Sequence, residues 1–485
     1  MSEQDGAPAR SRPNVGFGTQ VLYGLGAASS GIKMRALSSF LLLFYNQALG
    51  LSPTSVSFVI SAILVFDAIC DPAVGHVSDR FRSRWGRRHP FMYASALPLS
   101  VAFFLLWNPP TGWSDTAVLW WLFACLLVVR FTDTLFELPS VALAPELIDD
   151  YDGRTLIVNL RIFFRTIAGL FVTIVGLQIF LRPNADGSGG ATSPEGYLGF
   201  SLTMATTMFL VIVVSAAATH RFIPFLRRPA AIETRPSSFW RDTRGILSNR
   251  SALVMLGVGM LQSVAGGTKA GLDLYFGLYF WELSQSQLSV LATLSALGAL
   301  VGALAVGFVG KRFGKRDGTI LCYGLGLING VLPIALRLLD LMPANGTQSL
   351  FAILAIEAFL LGALYVMSAV LMNSMLADVV EDVAVTTGQR SEGLLFSADQ
   401  FFTKAVSGIG VMVSGWLLSV IAFPRDAQPG AIAGDMIHRL GLLYVPAVAG
   451  LTAIAVGLLF FYRIDRERHH ENLARLRAAE AMTTG

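Results

Sequence analysis

Long apolar runs separated by short polar ones organise this chain from end to end. A helix needs roughly 20 mostly apolar residues to cross a bilayer. Runs of that order lie at 19–47, 54–78, 90–108, 116–144, 157–181 and 199–219, and again at 251–281, 286–310, 318–337, 349–377, 393–421 and 438–461. The pattern predicts twelve membrane-spanning helices. NPPTGWSD (108–115) and RPNADGSGGATSPEG (182–196) have the Pro, Gly and Asn content of turns and loops. The Arg- and Pro-rich link 220–250 divides the chain into two sets of six, 19–219 and 251–461, with polar tails at 1–18 and 462–485.

Composition supports this. The chain is 54% hydrophobic and 14% charged, against about 25% charged in a soluble domain. Most of its 36 Lys and Arg lie in the tails and in alternate loops, whereas the opposite loops hold few, such as Arg182 and Arg425. That asymmetry places both termini in the cytoplasm, and beside spanning helices it reads as a topology signal, not a nucleic-acid patch. The first tail lacks the apolar core of a cleaved signal. Cys70, Cys125 and Cys322 sit in apolar runs, as small core residues outside any disulfide. His469 and His470 read as surface residues of an amphipathic C-terminal helix. No HExxH, GxSxG or GxxxxGK[ST] pattern is present, so neither an enzyme nor a cofactor is expected. A non-transporting sensor, the rival from another class, would need a soluble domain that the short tails do not supply.

The chain also repeats itself. VGHVSDRF (74–81) ends the second span and VGFVGKRF (306–313) the eighth, with Lys311 in the place of Asp79. Two six-helix halves with a site between them are the plan of a transporter that works by alternating access. Gly298 and Gly302 are read as helix-packing residues.

Ionisable residues inside the spans are costly, about 2.5–3.5 kcal/mol each near the bilayer centre, so they must face one another or water. They are Lys33 and Arg35; Asp67 and Asp71; Arg130, Asp133 and Glu137; Arg161 and Arg165; Lys269 and Asp273; Glu357; Asp399 and Lys404. Asp67 and Asp71 share a helix face at i,i+4, as do Arg161 and Arg165, and Arg130, Asp133 and Glu137 form one stripe. Matching depths suit a pairing of Glu137 with the arginines of span 5. Two carboxylates about 6 Å apart repel by roughly 3 kcal/mol at an effective dielectric of 20. Asp67 and Asp71 therefore do not stand as two bare charges. They take a proton, a small metal cation or a neighbouring basic side chain.

FDAICDPAVG with DRFRSRWGRRHPF, YGLGAASS, FELP and LADVVEDVAVTTGQRSEGLLFSADQFFTK together resemble the melibiose-permease type of glycoside–pentoside–hexuronide:cation symporters, in the major facilitator superfamily. The resemblance covers essentially the whole chain. It implies an all-α membrane protein of two pseudo-symmetric six-helix bundles, acting as a monomer in the cytoplasmic membrane and moving a sugar, glycoside or uronide with H⁺ or Na⁺. It implies that Asp67, Asp71 and Thr134 hold the cation, the two aspartates serving as metal ligands if the ion is Na⁺. Lys404 matches a lysine near that site, and Glu137 stands for a sugar-contacting aspartate. Asp133, Arg130, Arg161, Arg35, Lys33 and Lys404 complete the expected substrate surface. Asp79, Arg80, Arg84, Arg87 and Arg88 look like the superfamily's cytoplasmic gate. Departures are equally specific. Gly31 replaces the span-1 aspartate that holds a galactoside, Cys70 an asparagine of the cation site, Val141 a tryptophan and Ile162 an arginine, while Lys33, Arg35 and Arg130 are added. A more positive site favours an acidic ligand, a uronide or a phosphate-bearing lipid, so a lysolipid transporter is the nearest rival. Fewer oxygens around the cation favour H⁺.

Overall fold

The computed structural model describes residues 15–475 except 82, 149, 185–188, 227–247, 388–391, 426, 429, 465–466, 470 and 473. Twelve long helices are found among the described residues, and the only β pairing there is a bridge between Pro183 and Gly189. Helix α1 runs as Phe17–Leu25 and Ala27–Arg35, then through wide turns at Ala36–Phe40 and Phe44–Ala48 on either side of Leu41–Leu43. Then come α2 (Pro53–Arg80), α3 (His89–Leu106), α4 (Asp115–Leu147), α5 (Tyr151–Val175, extended by a wide turn Gly176–Phe180) and α6 (Glu195–His220). The second half comprises α7 (Arg250–Tyr275, extended by a wide turn Phe276–Phe280), α8 (Gln285–Phe313), α9 (Lys315–Leu338), α10 (Gln348–Thr387), α11 (Glu392–Val420) and α12 (Gly434–Leu459). Eleven, α2 to α12, are long and apolar enough to cross a membrane; α1 breaks at Gly26 and carries Lys33 and Arg35 in the part that follows. Helix α10 runs ten residues beyond the apolar stretch 349–377. Backbone hydrogen bonding continues where the apolar side chains stop, and the added turns carry Asp378, Glu381 and Asp382.

The internal repeat is more extensive than two short words. FYNQALGLS (44–52) and FGLYFWELS (276–284) lie 232 positions apart, as do VGHVSDRF and VGFVGKRF, and ELIDD (146–150) and DVVED (378–382). Local structure repeats too. Leu49 and Leu51 donate to the carbonyls of Phe44 and Tyr45, and Trp281 and Leu283 donate to those of Phe276 and Gly277. The bend at Gly50 (φ 74°) is matched at Glu282 (φ 51°), although a side chain there is strained.

Within the second half, α8 lies directly against α10. A Cβ on Gly298 would come 1.9 Å from the carbonyl oxygen of Phe359, and one on Gly302 2.4 Å from that of Ala363. Each half is also fastened where its chain begins and ends. Arg221, after α6, donates to Thr19 in the first turn of α1 at 2.9 Å. Asp382 accepts from Asn249 at the start of α7 (2.8 Å), and from Arg468 and Asn472 beyond α12 (both 3.0 Å). His469, expected at the surface, lies 3.4 Å from Asp378 and 3.0 Å from Glu381; His470 lies outside the described residues. Tyr462 donates to the carbonyl of Met375 at 3.2 Å. Burial, then the charges of Asp378, Asp382 and Glu381, push its hydroxyl up, so it stays a neutral donor.

The halves meet along α2–α11, α1–α7 and α5–α8. Bonds between them run from mid-depth to the end remote from the chain termini. Gln47 donates to the carbonyl of Pro424 (2.9 Å), Tyr275 to Asn46 (2.7 Å), and Thr54 touches Ser419. Ser61 donates to the carbonyl of Gly408. Among the described residues, these bonds join the halves from mid-depth to the far end.

Candidate cation and substrate site

Helix α2 presents Asp67 and Asp71 one turn apart, and α4 brings Thr134 between them. Its Oγ1 lies 3.3 Å from Asp67 Oδ1 and 3.0 Å from Asp71 Oδ1. A hydroxyl has one hydrogen to give, so it satisfies one carboxylate at a time. Pro72 lacks an amide hydrogen, which frees the carbonyl of Ala68 beside the pair. Two basic groups share the remaining carboxylate oxygens. Arg130 of α4 stands 3.4 Å from Asp67 Oδ2. Lys404, from the other half, contacts Asp71 Oδ2 and stands 3.8 Å from Asp67 Oδ2. Of the three ways to settle the pair, this arrangement uses basic side chains. The two bonds differ in kind: Arg130 is largely buried, whereas Lys404 is 42% exposed and belongs to the half that must move.

A second network joins α1, α4 and α5. Lys33 contacts Asp133, and Ser30 donates to Glu137 at 2.8 Å while lying 3.4 Å from Asp133. Glu137 accepts from Arg165 and lies 3.1 Å from Arg161. Arg161 donates to Ser140 at 2.6 Å and sits over the Tyr23 ring, 5.5 Å from its centre. Four basic groups (Lys33, Arg130, Arg161, Arg165) thus face four acidic ones (Asp67, Asp71, Asp133, Glu137), and this set balances before Arg35 and Lys404 are added.

Arg35 goes elsewhere. It donates to Thr173 of α5 at 2.8 Å and approaches Asp273 of α7 at 3.9 Å, across the halves. Gly31 explains its own lack of a side chain. A Cβ there would come 2.2 Å from the carbonyl oxygen of Arg165, so α5 backbone fills the space where an aspartate would project. Gly31→Ala is expected to push α1 off α5, at about 1–3 kcal/mol for overpacking. A thermal unfolding midpoint equal to that of the parent would refute this contact.

The gate residues lie at the terminal end. Arg80 and Arg84 are exposed, and the side chain of Asp79 lies outside the described residues. Arg87 donates to Glu146 at 2.6 Å, and Arg88 lies 3.4 Å from Glu146 and donates to Ser78 at 3.1 Å. These bonds stay within the first half. In the second, Lys315 holds Asp378 at 2.6 Å. Sequence reasoning missed Glu146 and Asp378, although the ELIDD–DVVED repeat marks both.

Residues 22–466 match the family described as MFS/sugar transport protein. The chain belongs to this family. It is 22% identical to the isoprimeverose transporter of Lactiplantibacillus pentosus over 92% of this chain and 88% of that one. It is 24% identical to a putative glycoside/cation symporter, YagG, of Escherichia coli K12, over 92% of each. The fold is that of the inward-open xylose transporter XylE of E. coli (TM-score 0.61, 12% identity, 94% of this chain and 99% of that one). This family member is a multi-pass integral membrane protein of the cell membrane, a transporter and not an enzyme.

Proposed function

We propose that this protein carries a sugar, glycoside or uronide across the cytoplasmic membrane together with one cation, held by Asp67, Asp71 and Thr134. The observation that carries this reading is the pair of carboxylates on one half neutralised by a half-exposed lysine from the other. A cation entering between Asp67 and Asp71 does the work of Lys404 and releases it, and with it a tie between the halves that is weak in itself because Lys404 is half-exposed, about 0–1 kcal/mol. Binding therefore changes how the halves are joined, which is what coupling requires. Few side-chain oxygens surround the pair, and Cys70 adds none, which favours H⁺ over Na⁺. Glu137, Asp133, Lys33, Arg161, Arg165 and Arg130 offer donors and acceptors for hydroxyl groups, whereas Arg35 is engaged with Thr173 and Asp273. With Lys404 the site already holds one positive charge more than its four carboxylates, and the bound cation adds another, which favours a uronide. With the termini in the cytoplasm, the bonded end faces outward, and at the inner end Arg80 and Arg84 lie exposed while Arg87 and Arg88 hold Glu146.

The test is uptake of labelled isoprimeverose, lactose and methyl glucuronide into proteoliposomes under an imposed H⁺ or Na⁺ gradient. Accumulation of one of them only while a gradient is present is the expected result. Gradient-independent equilibration would exclude symport, and uptake of lysophosphatidylcholine instead would assign the site to amphipathic anions.

A further inference from the structure

The internal repeat diverges at one place where the divergence has a chemical consequence. In the first half, α4 ends at Leu147 inside ELIDD, and Asp150 caps α5 by accepting from the amide of Gly153 at 2.7 Å. In the second half the equivalent DVVED stays helical within α10. Asp378 and Glu381 therefore share one helix face, at i,i+3. Asp378 is buried there.

The segment after α12 brings His469 to that face. Its Nδ1 lies 3.0 Å from Glu381 Oε2 and 3.4 Å from Asp378 Oδ1, and the three atoms all lie within 4.8 Å of one another. An ion that holds N and O ligands tetrahedrally at about 2.0–2.2 Å separates them by about 3.3–3.6 Å. The donors already stand near the spacing that one ion would impose.

Charge points the same way. Lys315 answers Asp378, bonding its two oxygens at 2.6 and 2.8 Å, and Arg468 answers Asp382 at 3.0 Å. Among the described residues, the only basic group within bonding distance of Glu381 is His469, and Glu381 Oε2 is buried yet accepts no hydrogen bond. An ion between the three donors would satisfy that oxygen. It would take Asp378 Oδ1 and leave Oδ2 to Lys315. Neighbouring bonds hold the donors in place without using them. Asp382, next to Glu381, accepts from Asn249, from Arg468 beside His469, and from Asn472.

We propose that Asp378, Glu381 and His469 bind one divalent transition-metal ion of the Zn²⁺ class, with water completing its ligands. One imidazole with two carboxylates suits Zn²⁺, whereas Mg²⁺ and Ca²⁺ prefer oxygen alone. The bound ion ties the segment after α12 to α10. This site shares no residue with the proposed symport and does not depend on it.

The test is equilibrium dialysis of the full-length chain in detergent against radiolabelled Zn²⁺, without a histidine tag, after stripping with EDTA, and with Cys70, Cys125 and Cys322 replaced by alanine. One Zn²⁺ per chain is expected, and excess Mg²⁺ should not displace it. His469→Ala and Glu381→Gln should each weaken binding by more than about tenfold, since losing even an outer partner of a ligand costs about 10–100-fold. In EDTA both variants should keep the parent's unfolding midpoint, which separates a lost ligand from a lost fold. Zn²⁺ should raise the midpoint of the parent and leave that of His469→Ala where it was. His438→Ala, near the other end of α12, should bind as the parent does. No bound Zn²⁺, displacement by Mg²⁺, or undiminished binding in His469→Ala and Glu381→Gln overturns the proposal.

Discussion

Asp71→Asn is expected to abolish uphill accumulation while the protein still reaches the membrane in normal amount. One cation moving down 100 mV provides about 2.3 kcal/mol, enough for roughly fifty-fold accumulation, and the variant should fall to none. An amide cannot replace the charge that Thr134, Lys404 and the incoming cation all address at this position. Stability should change little. Lys404 is 42% exposed and keeps Asp67 at 3.8 Å, so no charge is left stranded in an apolar setting. Radiolabel uptake against a gradient, with a thermal melt on the same preparation, measures both halves of the expectation. Accumulation at the parental level would remove Asp71 from the coupling site.

Glu137→Gln should do the reverse and strike the fold. Glu137 is the shared anion of Arg161 and Arg165 and accepts from Ser30. Arg161 is buried, its side chain 8% exposed. Removing one partner of a buried pair leaves an uncompensated charge and costs about 3–5 kcal/mol. The unfolding midpoint in detergent should therefore drop markedly. Arg165→Gln removes the more exposed member, and exposed pairs contribute about 0–1 kcal/mol, so its midpoint should stay near the parent's. Equal midpoints for the two variants would show that the Glu137–Arg161 bond is not stabilising.

Much of this was legible from the sequence, and the limits have physical causes. Run length and polar punctuation disclose the twelve helices because a bilayer imposes a minimum apolar length. The wide turns in α1 left no trace, since ALSSF at 36–40 contains neither proline nor glycine. Spacing identifies which charges share a helix face, but not the helix opposite. Lys33 and Arg35 illustrate this. Two residues apart, they point about 200° away from each other around α1, so one meets Asp133 in its own half and the other Asp273 across the interface. The sequence alone groups both around a single substrate site. Gly31 read as a lost side chain, and only the backbone of α5 at Arg165 explains why one cannot be there.

The fastenings at Thr19–Arg221 and at Asp382 bear on how the chain can be divided. Each half has its own beginning and end tied together, as if circularised, and neither tie uses residues 227–247. Severing the polypeptide in that stretch would leave both of these ties intact, and the α1–α7, α2–α11 and α5–α8 seams would remain to hold the two fragments together.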